Sequence, residues 1–259
     1  MKAMVVQKWG EKSVLMNRPD PKPGPREAVM RVRAAGVGLT LLNMRTGSFG
    51  GEAPRIMGHE LGGDIVEVGS DVTELKVGDA CAVYFYLTCH RCRWCRGGRE
   101  TLCEAFKGYV GVHRDGGYAE YVSLPVENFL LIPKGLSYEA AAMATDAVNT
   151  NWHCMKERAR VNPHDNVLLI GAGGGVGIHG RAHAVAVEHV LPYRVARRCM
   201  EERHVPVGVE RLKARKAIER IAVELGMGPF DGGTCPWREH IYRDPSGRGQ
   251  IVIARDASL

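Results

Sequence analysis

GHELGGDIVEVG, residues 58–69, sets a short apolar strand between glycines at 58, 62, 63 and 69. Glycine at such places marks backbone that turns tightly or packs closely on a neighbour. Runs of the same texture flank it: AVMRVRAAGV (28–37) before it and ACAVYFYL (80–87) after it. The segments between them, PDPKPGP, GSDVTELKVGD and CRGGRE, are turn-forming. The first third of the chain therefore reads as a compact, barrel-like β domain. At the head of the 58–69 strand stand His59 and Glu60. The pair is not the His-Glu-x-x-His of a metalloprotease, and two readings stay open: His59 is a metal ligand, or it is a satisfied core histidine beside a surface Glu60.

Near residue 137 the texture changes. SYEAAAMATDAV (137–148) offers Ser137 as an N-cap, an acid in the first turn and an alanine-rich body, so a helix begins there. NTNWHCMKERAR (149–160) continues as helix until Asn162 and Pro163 stop it. NVLLIG (166–171) then reads as a buried parallel strand that runs into GAGGGVG (171–177), the opening of a βαβ unit. Backbone amides of Gly171, Gly173, Gly174, Gly175, Val176 and Gly177, with the helix N-terminus behind them, are the candidate cradle for a cofactor pyrophosphate. The strict Gly-x-Gly-x-x-Gly spacing is not met, because Val176 stands at its last position. A plain glycine-rich turn is the alternative.

Cys89, Cys92, Cys95 and Cys103 fall within fifteen residues. Short Cys-x-x-Cys turns bring thiolates to one point, as tetrahedral zinc requires. Arg91, Arg93, Arg96 and Arg99 lie around them and offset the charge of four thiolates. The longer last gap and the lack of a following proline separate the run from the bacterial iron–sulfur pattern. Disulfides or free thiols remain the other readings. A zinc site closed by four cysteines stabilises a loop and does no chemistry.

Composition sets wider bounds. Apolar residues make up 45% and charged residues 25%, ordinary values for a globular protein. No uncharged apolar run approaches bilayer length, so no membrane partner is expected. MKAMVVQKWGEKSV lacks an apolar signal core, and a cytoplasmic protein is the expectation. Residues 1–180 hold 21 basic and 19 acidic side chains, and residues 181–259 hold 14 and 10. That excess is scattered, without a polybasic block or interleaved aromatics, which argues against a nucleic-acid partner.

Taken together, GHELGGDIVEVG, VGD (77–79), the four-cysteine lobe, GGYAEYV (116–122), the helix with TDAVNT and VLLIGAGGGVG resemble the medium-chain dehydrogenase/reductase family, of the zinc-containing alcohol dehydrogenase type. They stand in family order over residues 1 to about 180. The resemblance implies an α/β plus β fold: a GroES-like catalytic domain (1–150) with a structural zinc lobe near 89–103, then a Rossmann-type nucleotide-binding domain (151–259). It implies NAD or NADP as cofactor, a small-molecule substrate and a homodimer or homotetramer. It also implies a catalytic zinc held by a cysteine, a histidine and a second cysteine. Carried onto this chain, the histidine is His59 with Glu60 beside the metal, the second cysteine is Asp146, and the proton-relay hydroxyl is Thr40. The first-cysteine position is Gly38, which has no side chain, and the outer relay histidine is Asn43. Gly38 reads either as a lost ligand or as a packing glycine.

The family pattern fades after Gly177. The remaining 82 residues are too few for the usual sheet, and the nucleotide domain is expected to be truncated or rewritten near residue 180. Arg197 and Arg198, suited to a 2′-phosphate, or Glu210 at the end of VPVGVE (205–210), holding the ribose, are the alternatives for contacting the cofactor. GRGQIVIA (247–254) loosely resembles the family's terminal strand. Three functions follow as expectations: a zinc-containing alcohol dehydrogenase, an NADPH-dependent reductase of activated C=C bonds with structural zinc only, and a non-catalytic, zinc-stabilised remnant.

Overall fold

A computed structural model describes residues 1–161, 174–179, 240–243 and 250–253. The chain divides into two compact units, one from Met1 to Thr150 and one from Asn151 to Ala257.

The first unit holds β1 (Lys2–Val6), β2 (Val14–Asn17), β3 (Glu27–Ala35), α1 (Leu39–Met44), β4 (Arg55–Ile56), β5 (Leu61–Val68), β6 (Ala80–Val83), α2 (Arg93–Arg96), β7 (Tyr121–Pro125), β8 (Phe129–Leu131) and α3 (Tyr138–Met143). Five strands pair antiparallel in the order β7-β3-β5-β6-β8, and β2-β1-β4 form a second sheet. Two register shifts in the β3–β5 ladder bend the larger sheet. Met30, Leu61, Ile65, Val83, Leu124 and Phe129 fill its inner face. A smaller cluster of Val6, Leu41, Met44, Met57 and Val112 fastens α1 to this unit.

The glycines of the opening stretch are needed where they stand. A Cβ at Gly63 would lie 2.1 Å from the Arg31 carbonyl oxygen, and one at Gly62 would lie 2.5 Å from the Tyr138 carbonyl oxygen. Gly69 meets the carbonyl of Gly24 at 2.0 Å in the same way. The strand expected over 80–87 ends early, at Val83. Asn128, almost wholly buried, donates its side-chain amide to the carbonyls of Tyr84 and Tyr86, so those groups are satisfied outside a ladder. Ser137 caps α3 as expected, accepting from the Ala140 amide at 3.2 Å. The helix then widens into a π-turn at Ala144–Val148 and runs on through α4 (Asn149–Trp152) and a second π-turn at His153–Arg158.

In the second unit, residues 175–179 are helical directly after Gly174. The Asn151 side chain donates to the Val176 carbonyl. β9 (His240–Arg243) pairs antiparallel with β10 (Gln250–Ile253), so a strand does form within 247–254. The strand expected at 166–171, Gly171 and Gly173, and Arg197, Arg198 and Glu210 lie outside the described residues. No helix among the described residues is long and apolar enough to cross a membrane.

Gly63→Ala is expected to destabilise the first unit by about 1–3 kcal/mol, because backbone must shift to admit one methyl group. A lowered midpoint in urea-induced unfolding followed by tryptophan fluorescence is the check. An unchanged midpoint contradicts the close approach.

Candidate active site and metal centres

The cysteine lobe gathers its four sulfurs around α2. All four Sγ atoms lie within 4.8 Å of one another, with Cys92–Cys95 at 3.5 Å and Cys89–Cys95 at 3.9 Å. Four sulfurs on a tetrahedral zinc with bonds near 2.3 Å would stand roughly 3.8 Å apart. The residues present therefore fit that ion. Backbone also prepares the site: the Cys92 amide donates to Cys89 Sγ and the Cys89 amide to Cys103 Sγ, both at 3.3 Å. Amide hydrogen bonds from Cys95 and Glu104 pull the Cys92 thiol down to about 6, and those from Arg91 and Cys92 lower Cys89. Burial pushes Cys95 up to about 12, a cost that bonding to a metal removes. Of the four surrounding arginines, Arg93 pairs with Glu104 at 3.0 Å.

The second site lies at the head of β5. His59 is buried and its Nε2 stands 3.0 Å from Asp146 Oδ2, so residues 87 apart in sequence meet directly. Its other ring nitrogen, Nδ1, is buried and has no partner among the described residues, and the Phe85 ring packs 4.6 Å from the imidazole. The π-turn at Ala144–Val148 carries Asp146, and such widened turns recur at functional positions. Thr150 donates to Asp146 Oδ1 at 3.0 Å and holds the carboxylate still. Burial works to raise the Asp146 carboxyl, but the hydrogen bond and charge of His59 outweigh it and hold it below its usual range.

Glu60 is buried, not on the surface as one reading of the sequence had it, because Gly36 and the Ala147 amide enclose it. Its Oε1 accepts from the Ala147 amide at 3.2 Å. Burial, then the negative charge of Asp146, raise the Glu60 carboxyl above its ordinary value. With one oxygen on Ala147 and the other beneath Gly36, Glu60 does not converge with His59 and Asp146. Among the described residues, the four cysteines are the group in which three or more candidate ligand atoms meet.

The loop ahead of α1 contains two glycines in opposite circumstances. A Cβ on Gly36 would lie 2.3 Å from Glu60 Oε2, so Gly36 must be glycine while Glu60 stays in place. Gly38 caps α1 in an extended conformation (φ −109°, ψ 163°), and a Cβ there would meet nothing within 4 Å. Among the described residues nothing crowds that position, so none of them requires glycine there. Thr40 is half-buried in the first turn of α1. Tyr118 escaped sequence reasoning: its hydroxyl donates to the Gly36 carbonyl at 2.8 Å and its ring packs against Gly58. Only its place in GGYAEYV hinted at it. Thr150, four residues after Asp146 on a helix, was legible from spacing. Of the expected cofactor cradle, Gly174, Gly175, Val176 and Gly177 are described, and they form a bend entering a helix.

An antiparallel β unit carrying a four-cysteine lobe and a part-buried His–Asp pair corresponds to the β domain of one class of dehydrogenases. Residues 24–134 match the family model of the alcohol dehydrogenase GroES-like domain. L-threonine 3-dehydrogenase of Chelativorans sp. (strain BNC1) is 35% identical over 268 aligned positions, covering 98% of this chain and 76% of that protein. The NAD-dependent alcohol dehydrogenase of Sulfurisphaera tokodaii is 34% identical over 186 residues, 68% of this chain and 53% of that one. A solved cobalt- and zinc-bound thermostable alcohol dehydrogenase from Pyrobaculum aerophilum superposes with a TM-score of 0.67 at 34% identity, covering 72% of this chain and 56% of the other. The chain belongs to the medium-chain dehydrogenase/reductase family, of the zinc-containing alcohol dehydrogenase type. It spans about half the length of the first curated relatives it matches.

Two substitutions test this geometry. Cys103→Ser is expected to cost the lobe its metal and to open residues 89–103 to proteolysis; full zinc retention by elemental analysis contradicts the four-sulfur site. Gly36→Ala is expected to destabilise by about 1–3 kcal/mol, whereas Gly38→Ala stays neutral or gains up to about 1 kcal/mol. Equal thermal shifts for the two variants overturn the contrast.

Proposed function

We propose that this protein is an NAD(P)-dependent oxidoreductase of the alcohol dehydrogenase type, interconverting an alcohol with an aldehyde or ketone. The observation that carries the reading is the His59–Asp146 pair, in which the buried His59 Nε2 and the half-buried Asp146 Oδ2 face each other at 3.0 Å. Nitrogen and oxygen ligands of a tetrahedral zinc stand roughly 3.3 Å apart, given bonds near 2.0–2.1 Å. The pair therefore fits a metal with little adjustment, and His59 Nε2 and Asp146 Oδ2 are the atoms that would hold it. A zinc ion bound there supplies a Lewis acid for the substrate oxygen. Cys89, Cys92, Cys95 and Cys103 would hold a second, structural zinc.

The chain's own groups divide the remaining work. Phe85, packed on His59, keeps water from one side of the imidazole. Thr150 fixes the Asp146 carboxylate, and Glu60, fastened to the Ala147 amide, adds a negative charge behind the pair. A nicotinamide cofactor, when bound, would supply hydride acceptance from the alcohol carbon, and the Thr40 hydroxyl would pass the hydroxyl proton towards solvent. The run Gly174–Gly177, entering the helix at 175–179, is the part of the expected pyrophosphate cradle that would meet the cofactor.

One observation favours a second reading. Gly38 offers no ligand, which suits a reductase of activated C=C bonds with metal in the cysteine lobe alone. Zinc content after dialysis against buffered zinc, with NADH and NADPH titrations followed by fluorescence, separates the two. Two zinc ions per chain with cofactor binding are expected; one zinc with cofactor binding turns the assignment to the C=C reductase. Absence of binding to either nucleotide defeats both.

A further inference from the structure

Prolines at 19 and 21 lock their backbone φ and stiffen the segment that follows β2. Across from that segment stand β4, the turn at 113–116 and the head of β7, and the open cleft among them encloses about 470 Å³. That is the size of a small-molecule site. All of it belongs to the first unit, and none of its lining residues belongs to the His59–Asp146 site or the cysteine lobe. Backbone fixes one wall: Asp115 Oδ1 accepts from the Ile56 amide at 3.0 Å and from Arg55 Nη1 at 3.1 Å, and the Gly116 amide donates to the Ile56 carbonyl at 2.7 Å. Ile56 and Val122, both buried, give the cleft an apolar floor. Its charge does not balance. Four basic side chains line it, Arg18, Lys22, Arg55 and Arg114, against two acids, Asp20 and Asp115. Both acids are engaged, Asp20 by the Met1 amine at 2.7 Å and Asp115 by Arg55. Arg114 is matched by the two oxygens of Glu27 at 2.7 and 2.8 Å. Lys22 is 81% exposed and stands 3.7 Å from Glu67, too far for a hydrogen bond. Among the described residues nothing pairs with the Arg18 guanidinium, and the buried Arg55 Nε has no hydrogen-bond partner.

We propose that this cleft binds a small organic phosphate, its dianionic head held by Arg18 and Lys22 across from Arg55 and its apolar body over Ile56 and Val122. The proposal stands apart from the oxidoreductase reading. Two unmatched cations call for two negative charges. A phosphate monoester carries about −1.5 to −2 near neutral pH, whereas a carboxylate carries one. A guanidinium also meets phosphate oxygens in pairs, which gives geometric selectivity as well as attraction. Inorganic phosphate offers the same head with nothing to cover the apolar floor.

His113 provides a reporter at the cleft wall. Its Nδ1 accepts from the Tyr109 amide at 3.1 Å, and burial, then the Arg55 charge, hold its imidazole below the ordinary value. A dianion facing Arg55 offsets that charge, so bound ligand is expected to raise the pH midpoint of His113. Histidine NMR spectra of the full chain are titrated with phenyl phosphate, inorganic phosphate or benzoate, the His113 signal being identified by its loss in His113→Gln. Phenyl phosphate is expected to move that signal saturably, with an affinity at least about fivefold above that of inorganic phosphate. Benzoate, the same body with one charge, is expected to bind at least about tenfold more weakly than phenyl phosphate. Arg18→Gln combined with Lys22→Gln is expected to weaken phenyl phosphate at least about tenfold. An unchanged histidine spectrum without ligand verifies that this variant is folded. Lys22→Gln alone, at a position too exposed to disturb folding, is expected to weaken binding about threefold. A His113 signal that does not move, benzoate or inorganic phosphate binding as tightly as the ester, or unchanged affinity in the variants overturns the proposal. Phosphate bound elsewhere on the chain leaves His113 unmoved and counts against it.

Discussion

Gly63 and the Arg31 carbonyl approach so closely that β3 and β5 pack backbone to backbone, with no room for a methyl group between them. That contact governs what lies beyond it. Beyond it the ladder shifts by one residue at Arg33, resumes as Ala34–Gly62 and Ala35–Leu61, and ends with the Gly36 amide on the Glu60 carbonyl. His59, Glu60 and the loop leading to α1 are thus placed by backbone pairing, a stiffer support than side-chain packing alone. Tyr118 ties the two sides again, from the Gly36 carbonyl to the face of Gly58.

The π-turn at Ala144–Val148 brings in the third element. A regular helix presents residues at steps of 3.6, and one widened turn redirects the side chains it contains. Asp146 reaches His59, and the Ala147 amide reaches Glu60. Each buried acid therefore has a hydrogen-bonding partner, as buried charge requires. The environments still pull apart: Asp146, paired with an imidazole, is lowered, and Glu60, facing Asp146 from a buried position, is raised.

The two candidate metal sites differ in construction. The cysteine lobe is closed, with four donors on a short loop and amides aimed at the sulfurs. Its spacing alone announced it, because four ligands within fifteen residues need little help from the rest of the fold. The His59–Asp146 pair is assembled from segments 87 residues apart, so it exists only through the tertiary fold.

The sequence by itself determined the strand texture of the first unit, the Ser137 cap and the clustering of the cysteines. These are local properties, set by side-chain periodicity and turn chemistry, whereas the need for glycine at 62, 63 and 69 comes from carbonyls that other segments bring close. It could not determine that ACAVYFYL leaves the sheet at Val83, because that depends on Asn128 arriving from 42–44 residues away. Nor could it tell whether Gly38 fills a tight place or an empty one, or whether Glu60 joins His59 or turns from it. Only the tertiary structure decided those, since each depends on what another segment puts within a few ångströms of the residue.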